Sequence, residues 1–422
     1  MMLSRLKDYL LLLFLFLLPW QTRFIYSIEN LDGRYWEYGS LSLYGTELLL
    51  GAVILLALVE KIRSKVFGNF FINLNKNRLL IVGLDLLAVL FVYLLTSPWK
   101  MVTWQYLNWV IYGFCLTGII VGSQLSFRKI SLYLWSGALL PAGLAIYQFF
   151  SQSVFASKWL GLSSQSPSQL GVAVLELGQA RWLRAYGSFG WPNSLGIFLA
   201  TIFLLGIILI NKENGSKVKT LLLGGQIIIL FGLFFTFARG AWLGLLVGLG
   251  IWFLKEKKSQ YFWEQFIFYF LTLFVLFSIF SPLVFSRLDF NNRLESRSVS
   301  QRLDQWQEFK VIFGQNKFFG VGPGVYTYGL YYYHLANKFE LEPIHNIYLL
   351  FIGEWGALGM ILVVWGLSFV KNRVNWWFAP WVALLVAGLF DHWSLSMFSG
   401  IIFFFCILGL AFKFKAIDSQ AS

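Results

Sequence analysis

Apolar runs of roughly 20 residues alternate with short charged segments along most of the chain, a pattern that predicts membrane-spanning helices. The runs fall at about 9–20, 42–60, 79–97, 102–123, 130–150, 190–211, 220–237, 240–254, 262–283, 346–370, 375–391 and 396–412. They lack the period-2 alternation of transmembrane barrel strands, so each is read as a helix. The expected fold is all-α: a polytopic integral membrane protein with about 12 transmembrane helices, forming a single membrane domain over residues 1–422. Tyr9 to Trp20 follows Arg5 and Lys7 as the core of a signal peptide would. No small-residue cleavage site follows Pro19-Trp20, so this run is expected to remain as the first helix.

Two connections stand out by length, 151–189 and 284–345, the second lying between helices 9 and 10. With the N-terminus cytoplasmic, 19 of the 33 Lys and Arg residues fall in short loops on the cytoplasmic side. The positive-inside rule then places both termini in the cytoplasm and both long loops outside. Long loops carrying their own aromatic and charged residues are usually working parts, so function is expected on the external face.

Composition narrows the class further. With 58% hydrophobic and 13% charged residues, the chain has too little polar surface for a soluble domain. The net charge of +13 is accounted for by cytoplasmic loops, and no nucleic-acid partner is expected. Cys115 and Cys406 both lie in apolar runs, which indicates neither a disulfide nor a thiolate site. The three histidines are widely spaced, so no metal and no cofactor are expected.

The candidate chemistry lies in basic residues at the outer ends of helices. Arg184 precedes the sixth run in Arg184-Ala-Tyr186-Gly-Ser-Phe-Gly-Trp-Pro-Asn193, with Asn193 as the expected helix cap, and Arg239 sits in the tight turn between the seventh and eighth. A guanidinium held at such depth suits an anion such as phosphate, and equally suits snorkelling to lipid headgroups. Within the large loop, Ser298-Val-Ser-Gln301 resembles a capping box opening a helix through about Gly314. Leu303, Trp306, Phe309 and Phe313 would form its apolar stripe, with Arg302 beside them. The glycine run ending at Gly324 lacks the Lys-Ser/Thr ending of a nucleotide loop and is read as a backbone turn. The tyrosines from Tyr326 to Tyr333 suit sugar stacking or the headgroup belt. His345, followed by Asn346 at the point of membrane re-entry, is the candidate base, since an imidazole can accept a proton near neutral pH. Glu354, two turns into the next helix, is an intramembrane carboxylate expected to pair or to serve function, and Asp391-His392 is a second candidate pair.

Taken in order, these segments carry a family resemblance. Arg184-x-Tyr186-Gly-Ser-Phe-x-x-Pro-Asn193, Arg239-Gly-Ala-Trp, Arg302-x-x-x-Trp306, Phe-Gly-Val-Gly-Pro-Gly324, His345-Asn346-x-Tyr-Leu and Glu354-x-Gly356 together resemble the O-antigen ligase and Wzy-type polymerase superfamily, over about 170–360. The resemblance implies a GT-C-like fold in the inner (cytoplasmic) membrane, working at its periplasmic face in the assembly of surface polysaccharide such as lipopolysaccharide. It implies a metal-independent glycosyltransferase that moves a glycan from a polyprenyl diphosphate carrier, such as undecaprenyl diphosphate, to the hydroxyl of an acceptor glycan or lipid-linked sugar. Arg184 and Arg239 would then hold the diphosphate, Arg302 would assist, and His345 would activate the acceptor. Tyr186, Asn193, Trp306, Asn346 and Glu354 would support them. The serine often found before the second motif arginine is Ala238 here. Membrane transport of a small anion such as bicarbonate is the competing reading, and a scaffold subunit of an envelope complex the third. Transporters usually bind midway through the bilayer, whereas the unusual residues here gather at one surface.

Overall fold

The computed structural model describes residues 2–63, 88–213, 215–257, 260–289, 291–335, 341–368 and 378–421. Helices α1 (Met2–Leu17) and α2 (Gly45–Arg63) flank a small strand region of β1 (Arg23–Ser27), β2 (Asn30–Leu31), β3 (Arg34–Tyr35) and β4 (Leu41–Tyr44). Next come α3 (Lys100–Gly122), α4 (Phe127–Ser151), the hairpin of β5 (Val174–Leu177) and β6 (Ala180–Leu183), and then α5 (Pro192–Asn211), α6 (Ser216–Phe235), α7 (Arg239–Glu256) and α8 (Gln260–Ile279). The large loop contains α9 (Ser281–Leu288), α10 (Arg293–Gln315) and α11 (Tyr326–Tyr332). The chain closes with α12 (Ile347–Ser368), α13 (Ala379–Ala387), α14 (Trp393–Ser396) and α15 (Phe398–Ala421).

The structure is thus mainly helical, with antiparallel pairs β1–β4, β2–β3 and β5–β6 that an all-α reading omits. Among the described residues, six helices are long and apolar enough to cross a membrane: α3, α4, α5, α6, α8 and α12. Several other expected spans are shorter, including α1 with 16 residues and α13 with 9. The expected spans 79–97, 346–370 and 375–391 lie partly outside the described residues. The expected run 262–283 stops at Ile279, because the backbone turns at Phe280 and Pro282 opens a new helix.

Helix α5 is the hub. Of its apolar stretch 94% is buried inside the protein, so it meets helices rather than lipid on every side. Close approach is possible because Gly196 lies under the Cβ atoms of Ala238 and Ala241, where a side chain of its own would sit 2.7 Å from Ala238. Deeper in, Gln226 of α6 accepts from Trp135 Nε1 of α4 (3.0 Å) and donates to the Phe203 carbonyl of α5 (2.8 Å), joining three helices through one amide.

At one end of the bundle, residues 23–44, 151–189, 281–289, 291–335 and 341–346 gather into a cap. Trp36 Nε1 donates to Thr327 Oγ1 (2.9 Å), which fastens the N-terminal strand region to α11. Glu176 on β5 takes Arg293 Nη2 at 2.5 Å, and its carbonyl takes Asn292 Nδ2 at 3.2 Å, which ties the two long loops together.

The cap is also keyed into helix α12, which is broken at Gly356 (φ +58°). The break frees backbone groups inside an apolar span, where each unmet group would cost several kcal/mol. The turn following α10 meets them. Val321 N–H donates to the Gly353 carbonyl (2.9 Å) and Gly322 N–H to the Glu354 carbonyl (3.0 Å). In return, Ala357 and Leu358 N–H donate to the carbonyls of Lys317 (2.9 Å) and Phe318 (3.1 Å), and the Tyr93 hydroxyl caps the Trp355 carbonyl. A Cβ on Gly356 would fall 2.4 Å from the Phe318 oxygen and 2.5 Å from Gly320 N. Gly356→Ala is therefore expected to destabilise the protein by about 2 kcal/mol or more, read as a lower thermal midpoint in detergent. Gly190→Ala meets open space and is expected to leave the midpoint unchanged.

Candidate active site

Strand β6 delivers Arg184 to the inner surface of the cap. Its N–H donates to the Ala173 carbonyl (3.1 Å), and Ala173 N–H donates in turn to the Tyr186 hydroxyl (2.7 Å). Gln148 of α4 fixes the next turn. Its Oε1 accepts from Tyr186 N (3.0 Å) and Gly187 N (2.7 Å), and its Nε2 donates to the Gly187 carbonyl (2.8 Å). Gly187 is needed there for its φ of +57° and for the Pro141 carbonyl that closes on it. Tyr186 thus supports Arg184 through the backbone. The Arg184 guanidinium donates from Nε to the Thr236 carbonyl (2.8 Å) and from Nη2 to Asn193 Oδ1 (2.7 Å). Asn193 is not the helix cap, because Trp191 occupies that position and Pro192 opens the helix, which leaves the amide free to orient the arginine. Burial, then the nearby Arg287 charge, pulls the Arg184 pKa well below the usual arginine value.

The turn between α6 and α7 aims two successive carbonyls at arginines. Phe237 is buried and left-handed (φ +47°), a conformation costing of order 1–3 kcal/mol in a non-glycine residue. The turn directs the Thr236 carbonyl to Arg184 and the Phe237 carbonyl to Arg287 Nε (3.2 Å). Ala238 packs on Gly196 in the core, so its small side chain permits the close contact between α5 and α7. Arg239 donates from Nη1 to the Arg287 carbonyl (3.0 Å). Glu295, only 3% exposed, lies between the two cations: Arg239 Nη2 is an ion-pair contact at 2.7 Å from Oε2, and Arg287 Nη1 bonds Oε1.

Helix α10 differs from its expected form. It begins at Arg293, with Asn292 Oδ1 accepting from Leu294 N–H (3.0 Å), so the cap lies upstream of Ser298-Val-Ser-Gln301. Its inward side carries Glu295, Arg302, Gln305, Phe309 and Ile312, whereas Leu303 and Trp306 are 63% and 48% exposed. The expected apolar stripe is therefore polar in its first half, because that half faces charged groups, and Trp306 lies on the outside. Arg302 is held by Ser298 Oγ (2.8 Å), and its buried Nε has no protein partner. Burial, then Arg239, lowers its pKa, while Asp391 acts in the opposite sense.

One turn after Arg302, Gln305 grips His345. Its Oε1 accepts from His345 N–H (3.1 Å), and its side-chain oxygen and nitrogen lie 3.2 Å and 3.0 Å from Nδ1. Gln305 thereby fixes the imidazole at both the backbone and the ring. The His345 ring stands edge-on to His392 with centroids 5.2 Å apart. His392 Nδ1 meets Ser396 Oγ at 2.6 Å, and Asp391 accepts from Trp393 N–H (2.9 Å). Arg184, Asn193, His345, Asp391 and His392 line one cavity of about 90 Å³. Asn346 caps α12, accepting from Tyr348 N (3.0 Å) and Leu349 N (3.1 Å), and it also donates to the Leu389 carbonyl (3.2 Å). Glu354 lines a different cavity, next to this one.

Residues 224–364 match the O-antigen ligase family. This match supports a relation of that segment to an O-antigen ligase-related superfamily. No curated protein matches it. The O-antigen ligase match takes in Arg239, Arg302 and His345, together with Arg287, Glu295 and Gln305, which the sequence reading did not single out. Arg184, Asn193, Asp391 and His392 lie outside the matched segment, and the fold brings them to it.

Two expected outcomes follow from the charges. Glu295→Ala would strand two largely buried guanidinium groups, and a loss of about 3–5 kcal/mol is expected by thermal denaturation. Glu176→Ala, which breaks a pair whose Arg293 is exposed, should cost about 1 kcal/mol or less. The second concerns acid. Burial lowers the His392 pKa from 6.5 to about 4, with Asp391 opposing and His345 adding to the shift. The unfolded chain then binds a proton more readily than the folded one, so His392 makes stability fall as pH drops from about 6.5 to about 4. His392→Gln should flatten that part of the profile.

Proposed function

We propose that the protein is a membrane glycosyltransferase of the ligase or polymerase kind, which moves a glycan from a polyprenyl diphosphate carrier to a sugar hydroxyl in surface-polysaccharide assembly. The observation that carries the reading is the convergence of four arginines, Arg184, Arg239, Arg287 and Arg302, beside a cavity that also holds His345. Among the buried and half-buried groups, these four cations face two carboxylates, Glu295 and Asp391, a formal balance of +2; Glu342 stands at the exposed rim. A diphosphate joined at both ends carries about two negative charges near neutral pH, which suits that surplus.

In this reading the carrier diphosphate lies against the arginines and the acceptor hydroxyl approaches His345. The acceptor oxygen attacks the anomeric carbon, the bond from that carbon to the diphosphate oxygen breaks, and His345 Nε2 takes the hydroxyl proton. The arginines stabilise the charge that develops on the departing diphosphate, a task that electrostatic preorganisation performs well in a site closed to water. The base role uses the tautomer in which Nδ1–H donates to Gln305 Oε1, so Gln305 is a positioning residue. The active-site end of the bundle would face the periplasm, with both termini on the cytoplasmic side.

Transfer from a lipid-linked glycan in reconstituted vesicles tests the reading. His345→Ala is expected to lower turnover by about 10²–10⁴-fold, the usual contribution of a general base. Arg239→Ala should abolish most activity, and full activity in both variants at normal abundance would overturn the assignment. Gln305→Leu should lower kcat while leaving the donor KM near its original value. Uptake of a labelled anion by vesicles containing no lipid-linked glycan would favour transport instead.

A further inference from the structure

A second cavity, of about 40 Å³, lies beside the first and shares Tyr38 and Met397 with it. Its wall includes Gln105, Tyr326, Thr327 and Glu354. Two of these side chains are buried with a polar atom that has no protein partner: Glu354 Oε2, in a residue 4% exposed, and the Tyr326 hydroxyl, in a residue 1% exposed. The remaining demand of the Glu354 carboxylate is met by the backbone N–H groups of Gly324 and Tyr326. Gln105 Oε1 accepts from Ser42 N–H (2.9 Å), which leaves its NH₂ as a donor.

An unmet carboxylate oxygen and an unmet phenol are costly in a buried wall and call for hydroxyl partners. Aromatic faces stand around them, with Tyr106 and Trp109 also in the wall. Alternating hydrogen-bonding groups and aromatic faces suit the edge of a pyranose, which offers hydroxyls in its plane and C–H bonds on its faces. About 40 Å³ is room for about three water-sized groups, so the cavity takes one edge of a sugar rather than a whole glycan.

We propose that this second cavity is a saccharide subsite that holds the terminal sugar of the acceptor, through Glu354 Oε2 and the Tyr326 hydroxyl. Pro343, two residues before His345, lines it, as does Ser396, the partner of His392. A sugar seated there presents a neighbouring hydroxyl toward His345 past the shared Tyr38 and Met397. Naming this sugar as the acceptor rests on the transferase reading; its binding does not.

Isothermal titration of the detergent-solubilised protein with methyl glycosides of glucose, galactose, mannose and N-acetylglucosamine tests the subsite directly. At least one glycoside should bind, and Glu354→Gln and Tyr326→Phe should each weaken it by roughly tenfold. Tyr326→Phe removes a hydroxyl with no protein partner, so its thermal midpoint should stay unchanged or rise, which separates lost binding from lost folding. In vesicles the same variants should raise the acceptor KM and leave the donor KM alone. Glycoside binding that both variants weaken, without any transfer from a lipid-linked donor, would keep the saccharide site and sink the transferase reading. If no glycoside binds at millimolar concentration, or if both variants saturate with acceptor as the original protein does, the cavity holds ordered water only and the proposal is overturned.

Discussion

Glu295 is the group on which the arrangement of charge depends. Two guanidinium groups from different parts of the chain, Arg239 at the start of α7 and Arg287 on α9, meet its buried carboxylate. Without that anion they would repel one another in a setting where water screens little, and the cap would be held to this turn only by hydrogen bonds to backbone carbonyls. The same contact holds α10 in the rotation that turns Arg302 and Gln305 inward, and Gln305 then sets His345. A single carboxylate therefore links the cationic side of the site to its imidazole.

The turn at Phe237 shows how backbone serves the same end. Its left-handed residue is unfavourable by itself, yet it points two adjacent carbonyls at two arginines. Each of those arginines is thus held partly by dipoles rather than by full negative charge. Their positive charge is dispersed but not cancelled, which leaves it available to an incoming anion.

Much of this architecture was legible in the chain. The apolar runs marked helices, and Arg184, Arg239, Arg302 and His345 stood out because polar groups at helix mouths are costly without a purpose. What escaped the reading was geometry that no local pattern encodes. Arg287 and Glu295 are eight residues apart, on different helices, in a stretch that reads as ordinary mixed charge. Gln305 carries no charge and sits among Leu303 and Trp306, whose apolar character suggested a buried stripe; packing against charged neighbours turned the helix the other way. Asn193 had the residue type and position of a cap, but Pro192 set the helix start one residue earlier. The strand pairs at 23–44 are too short and irregular to show a period.

The break in α12 has a consequence for how such a chain tolerates change. Residues 317–322 and 353–358 complete each other's backbone, so the two segments behave as one structural piece although some thirty residues separate them. A shift of a single position within either segment would leave its donors facing the wrong acceptors, so both must keep their own register.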